Sequence, residues 1–159
     1  LPEAQLDRFH VRAAIGYPQA TDEASMVASI AATGEVTPEG GNRTVTTVDL
    51  ARCQGLVRTV TVTAAVADYI VRLVRATREH PALALGASPR GSLALVQCAQ
   101  AYALIDQRDF VTPDDVQTLA GPVLTHRLML RPELWGSRTT ADHVLREILS
   151  GTPAPDSLG

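Results

Sequence analysis

The sequence contains no lysine: all 14 residues counted as Lys plus Arg are arginine. A phosphate-binding P-loop needs a Gly-rich turn ending in Lys-Ser or Lys-Thr, so these 159 residues contain none. Aromatic residues make up only 4%, and Tyr69, Tyr102 and Trp135 are too scattered to form a base-stacking platform; Tyr69 and Tyr102 read more simply as core. The two cysteines, Cys53 and Cys98, make no C-x-x-C pair or zinc pattern and read as buried, reduced thiols. The four histidines, His10, His80, His126 and His143, lack metal-ligand spacing. No apolar run reaches membrane-span length and no signal-peptide pattern opens the chain, which makes a cytoplasmic location the expectation. A net charge of −3 argues against general electrostatic attachment to nucleic acid or anionic lipid.

The residues that are present read mainly as helices. Phe9, Val11, Ala13 and Ile15 alternate as in a strand, followed by a Tyr17-Pro18 break. Thr21, Asp22 and Glu23 open a helix that carries Met26, Val27 and Ile30 and ends at Gly34. The glycine-rich stretch 34–44 reads as a mobile loop. Thr46 with Asp49 predicts a capping box on a second helix, and "RTVTVT" a short extended link. Thr63 caps a third helix with the stripe Val66, Tyr69, Ile70, Leu73 and Val74, which His80-Pro81 stops. A broad apolar face with Leu93, Val96, Ala99 and Ala103 marks the fourth helix as central. In "VTPDDV", Thr112 caps, Pro113 takes the first helical position, and Asp114 and Asp115 suit the helix dipole better than acid–base chemistry. Gly121-Pro122 interrupts or restarts this fifth helix. Thr139, with Asp142, caps the last one.

"GASPRGSLALV", residues 86–96, contains a conflict. Ser88 and Pro89 read as the cap and first residue of the fourth helix, which puts Arg90 in its first turn. The helix dipole disfavours a cation there by roughly 0.3–1 kcal/mol. An anion resolves the conflict. A helix N-terminus already attracts anions, and a charge-assisted hydrogen bond returns about 1.5–3 kcal/mol. An arginine paired with a nearby carboxylate, or pointing into water, is the plainer alternative. In "LDRF", Asp7 and Arg8 read alone as ordinary surface charges. Arg72, Arg75 and Arg78 gather near a helix C-terminus, where they complement the dipole or offer a grip on an acidic partner or nucleic acid.

"LPEAQLDRF", then "IGYP", then the long run from Asp68 to Leu130 resemble the C-terminal part of MoxR-type AAA+ ATPases, from Leu1 to about Leu149. The resemblance implies a mainly α fold: a helical lid bundle preceded by a short stub of the α/β core. It divides the chain into 1–18 (arginine-finger loop and last core strand), 19–60 (connecting helices and loop), 61–150 (lid with sensor 2) and 151–159 (a flexible tail). Arg8 matches an arginine finger that reaches the neighbouring subunit's ATP. Arg90 matches the sensor 2 arginine, with Ser88 and Pro89 on the phosphate side. A hexameric ring, partners with von Willebrand A-type domains and a chaperone-like role follow from the resemblance, with ATP and Mg as cofactors of the intact protein. The family's Walker A and Walker B motifs are absent here, so this chain alone is expected neither to bind nucleotide tightly nor to hydrolyse ATP. Two other readings stand beside it: a helical nucleic-acid-binding module and a protein-interaction bundle without a nucleotide role.

Overall fold

A computed structural model of the chain describes residues 3–34 and 45–156. The predicted loop at 35–44 lies outside the described residues. Among these the architecture is mainly α, as the sequence implies: α1 (Glu3–Leu6), α2 (Ala20–Thr33), α3 (Thr47–Val57), α4 (Ala64–Glu79), α5 (Pro89–Ile105), α6 (Pro113–Leu124) and α7 (Ala141–Gly151). β1 (Leu83–Leu85) and β2 (Met129–Leu130) pair antiparallel in a small sheet that the sequence did not reveal. No helix among the described residues is long and apolar enough to cross a membrane.

The chain forms two compact units, residues 13–51 and residues 1–12 with 52–159. In the smaller, α2 ends as expected: Gly34 takes the left-handed conformation (φ 73°) and its amide donates to Ile30 O. The α3 capping box forms too. Thr46 N–H donates to Asp49 Oδ2 at 3.1 Å, and Asp49 N–H to Thr46 Oγ1 at 3.1 Å. Neither α2 nor α3 has a buried residue. Cys53 is therefore exposed, against expectation, while Cys98 on α5 is half-buried; both are free thiols.

The larger unit holds the core. Tyr69, Ile70, Leu73, Leu95, Val116, Leu124 and Leu145 close on one another from α4, α5, α6 and α7. The stripe on α4 is buried as its spacing requires. On α5 the inward residues are the small Gly91, Ala94, Ala99 and Ala103 with Leu95. Small side chains on this helix let both α4 and α6 approach it, and α5 is central for that reason. Leu93 (65% exposed) and Tyr102 (39%) face outward, a correction to their core assignment.

Several local expectations shift by a residue or a conformation. Residues 9–15 form no strand, because no second strand lies alongside to complete a ladder; Arg12 N–H instead donates to Pro122 O at 2.9 Å. Residues 61 and 110 make one parallel bridge, all that remains of the extended link. α6 runs through Gly121-Pro122 to Leu124 before a 3₁₀ turn, Thr125–Arg127. Pro122 falls in the last turn of α6, where its missing N–H removes a single helical bond. Thr140, not Thr139, caps α7 through His143 N–H. Of the predicted flexible tail, residues 157–159 lie outside the described residues; within the rest, the Pro153 carbonyl accepts from Arg72 Nη1 at 3.1 Å.

The α6 start is the strongest local device. Thr112 and Asp115 form a reciprocal capping box. Arg108 adds a fork, Nη1 to Asp115 Oδ2 at 2.8 Å and Nη2 to Oδ1 at 2.6 Å. Burial pushes the Asp115 carboxyl up, but the Arg108 fork and Thr112 outweigh it and hold the group below its ordinary 3.8. The folded state then binds this proton more weakly than the unfolded one. The resulting stability is present above the ordinary carboxylate value and fades as pH falls through the lower folded-state value. Thermal unfolding should therefore stay flat at mildly acidic to neutral pH and drop below about pH 4. Asp115→Asn should cost about 1–3 kcal/mol at neutral pH and flatten that acid limb.

Candidate functional site

Three residues behave at the start of α5 as their types dictate. Ser88 is the cap, and its Oγ accepts from Arg90 N–H at 3.2 Å. Pro89 sits at the first helical position, where no N–H is needed. The Arg90 side chain is exposed and makes no hydrogen bond or ion pair among the described residues. The conflict seen in the sequence is thus preserved in three dimensions: a cation at a positive helix end, with no protein anion to neutralise it.

The approach to that terminus is tightly built. A Cβ on Gly86 would lie 2.5 Å from Thr77 O and 2.6 Å from Arg78 N, so glycine is required for the loop to pass the end of α4. Thr77 Oγ1 donates to Val74 O and accepts from the Ala87 amide at 2.9 Å. Arg78 Nε donates to Ala87 O at 2.8 Å. The arginine stripe is therefore engaged internally: Arg78 holds the loop, Arg72 bonds Asp68 at 2.9 Å and lies over the Tyr69 ring, and Arg75 approaches Glu79 at 4.0 Å.

A second anchor comes from the segment before Phe9. Asp7, read from sequence as a surface charge, is a structural node. Ser88 Oγ–H is shared between Asp7 Oδ1 and Oδ2 at 3.1 and 2.9 Å. Arg127 Nη1 donates to Asp7 Oδ1 at 2.6 Å and to Asp7 O. Its Nη2 donates to Phe9 O at 2.6 Å and its Nε to Val123 O at 2.9 Å. Only 2% of the Arg127 side chain is exposed. His126 Nε2–H donates to Phe9 O as well, at 3.1 Å. Nothing in the sequence reading singled out Arg127. The available signal was a lone arginine in the apolar run "VLTHRLML", a position where an unpaired charge is too costly to keep.

Arg8 is exposed, and no hydrogen bond or ion pair to its side chain occurs among the described residues. It borders a cleft of about 150 Å³ together with Arg90, Asp7, Gln97 and Arg127. Two unpaired guanidiniums on one cleft suit a phosphate-like anion. The volume is below the usual ligand-pocket range of about 300–1,000 Å³, so the cleft is one wall of a nucleotide site at most. A larger cavity of about 410 Å³ shares Asp7 and Arg127 with it and is lined mainly by apolar residues such as Leu6, Leu85 and Met129. Among the described residues no group of His, Cys, Asp and Glu could hold a metal ion. The one carboxylate on the cleft, Asp7, is already held by Arg127, so these residues suit phosphate but not magnesium.

This helical unit has the class of an AAA+ lid: the AAA lid domain family matches residues 75–148. A crystal structure of a candidate ATPase from Cytophaga hutchinsonii superposes with a TM-score of 0.86 at 27% identity, over 98% of this chain and 49% of that one. The uncharacterized protein YeaC of Bacillus subtilis (strain 168) is 41% identical over 155 residues, 98% of this chain and 48% of that protein. Chaperone MoxR1 of Mycobacterium tuberculosis is 35% identical over 164 residues, 98% of this chain and 42% of that protein. The chain is thus similar over nearly its whole length to proteins that include a MoxR chaperone, consistent with the C-terminal part of a MoxR-type AAA+ ATPase. It spans just under half the length of these curated relatives.

Two substitutions test how the site is held. Asp7→Ala leaves the buried Arg127 charge with three carbonyls and no carboxylate. It should destabilise the chain by about 3 kcal/mol, the lower end for a broken buried pair. Gly86→Ala should cost about 1–3 kcal/mol by forcing the loop off α4. Denaturant unfolding reads both.

Proposed function

We propose that this chain is the nucleotide-responsive lid and arginine-finger segment of a ring-forming, chaperone-like ATPase. In that reading Arg90 acts as sensor 2, with Ser88 and Pro89 placing it at the phosphates of its own subunit's ATP. Arg8 acts in trans as an arginine finger on the neighbouring subunit. The single observation that carries the reading is the state of these two guanidiniums. Both are exposed, both lack a protein anion among the described residues, and both border one cleft.

Phosphoryl transfer depends mainly on positioning and on stabilising charge that develops at the transferred group. The parts that cradle phosphate and hold magnesium would belong to the rest of the intact protein, since the sequence has no P-loop and the described residues hold no metal-binding carboxylate cluster. When bound, the magnesium ion would neutralise charge on the phosphate oxygens. This chain's share is two cations. Arg90, at an already electropositive helix end, draws the lid onto nucleotide, and loss of the terminal phosphate weakens that pull. Arg8 is the complement supplied to the next subunit, which makes turnover depend on assembly. Its side chain is exposed and without a partner among the described residues. The intact protein would act on other proteins from the cytoplasm, with von Willebrand A-type domains as the partner class, and as a hexamer.

In the full-length protein Arg90→Ala should slow ATP hydrolysis by at least about a hundredfold with folding intact. Arg8→Ala should slow it by roughly 10³-fold or more. Mixing Arg8→Ala subunits with arginine-intact, hydrolysis-dead ones should restore part of the activity. Unchanged turnover in Arg90→Ala would reject the sensor role, and absence of rescue in rings that demonstrably form would reject the finger.

A further inference from the structure

Arg127 borders the cleft, but only 2% of its side chain is exposed and its Nε, Nη1 and Nη2 already donate within the protein. Its partners are arranged in a telling way. Its Nη1 takes the carbonyl and a carboxylate oxygen of Asp7, and its Nη2 takes the carbonyl of Phe9. One planar group thus grips the backbone on both sides of Arg8. The Asp7 carboxylate it holds also accepts the Ser88 hydroxyl, and the same Ser88 oxygen accepts the Arg90 amide. An unbroken line of hydrogen bonds runs from the Arg8 segment through Asp7 and Ser88 to the Arg90 amide, with Arg127 gripping its Asp7 end.

We propose that Arg127 is a positioning residue that fixes Arg8 and Arg90 in one frame, so that displacement of the α5 terminus is passed to the Arg8 segment. This deepens the reading of the two arginines given above and rests on it. The chemistry requires arginine. A lysine ammonium could neutralise Asp7 but could not span its carboxylate and the Phe9 carbonyl with a rigid fork. Three further ties hold the segment to the lid: His126 Nε2–H to Phe9 O, His10 Nε2 with Gln97 Oε1 on α5, and Arg12 N–H to Pro122 O. The consequence is a link between two nucleotides: the state sensed by Arg90 in one subunit sets the placement of the Arg8 that the subunit offers its neighbour.

The test compares Arg127→Met and Arg127→Lys with the unaltered full-length protein, by amide hydrogen exchange and by ATP turnover. Both variants should raise exchange at residues 8–12 about tenfold or more, with Leu73 and Val74 on α4 unchanged. Both should lower kcat about tenfold while leaving KM for ATP within about threefold. In an Arg8→Ala background Arg127→Met should lower kcat less than about twofold further, because the two act as one unit. Unchanged exchange at residues 8–12, full recovery by Arg127→Lys, or an undiminished tenfold loss in the Arg8→Ala background would each overturn the proposal. Should Arg127→Met fail to fold, Asp7→Asn breaks the same pair from its more exposed side and carries the same expectations. Failure of the functional reading has a separate signature. Arg8→Ala and Arg90→Ala would leave turnover unchanged, while the exchange difference would still decide whether the frame exists.

Discussion

A guanidinium buried among hydrophobic helices is the constraint around which the functional end of this chain is organised. Arg127 closes the 3₁₀ turn that follows α6, near core residues Val123 and Leu124, where an unpaired charge would cost several kcal/mol. Its needs are met by a carboxylate and three carbonyls, and all but the Val123 carbonyl come from residues 7–9. The segment that bears Arg8 is thereby held without a strand or a helix of useful length. The Asp7 carboxylate then has capacity left for the Ser88 hydroxyl, which fixes the cap of α5. One buried charge thus orders both the segment that bears Arg8 and the helix that bears Arg90.

The other half of the arrangement is what has been left unsatisfied. Arg90 meets dipole repulsion with no carboxylate to offset it, and Arg8 is likewise without a partner among the described residues. Several other arginines are engaged: Arg72 with Asp68, Arg78 with Ala87 O, Arg108 with Asp115 and Arg131 with Pro81 O. Arg12, Arg52, Arg58 and Arg138 also lack a side-chain partner among the described residues, but they do not border the cleft that Arg8 and Arg90 share. The shared cleft, rather than the lack of a partner alone, separates Arg8 and Arg90 from the other cations. The arrangement also explains why Gly86, Ala87 and Thr77 are packed so closely. A residue held against its local electrostatics works only if the backbone beneath it cannot relax.

The caps and stripes of α4, α5 and α6 were legible because each depends on neighbours within one turn: Thr63, Ser88-Pro89 and Thr112 with Asp115 stand where their side-chain chemistry requires. Arg90 was legible for the same reason, since its oddity is local to one helix end. Asp7 and Arg127 were not, because they are 120 positions apart and each looks ordinary alone. The alternation from Phe9 to Ile15 misled because period two describes a preference, and a strand needs a neighbour. The exposure of Cys53, Leu93 and Tyr102 was equally hidden, since helical periodicity shows that an apolar face exists but not how much of it is covered.

The most direct test is a structure of the full-length ring with a non-hydrolysable ATP analogue. The account predicts Arg90 within hydrogen-bond reach of the γ-phosphate in its own subunit, Arg8 within reach of the neighbour's, and the Asp7–Arg127 pair intact between them. Arg90 bound to a protein carboxylate with its guanidinium turned from the nucleotide would contradict it.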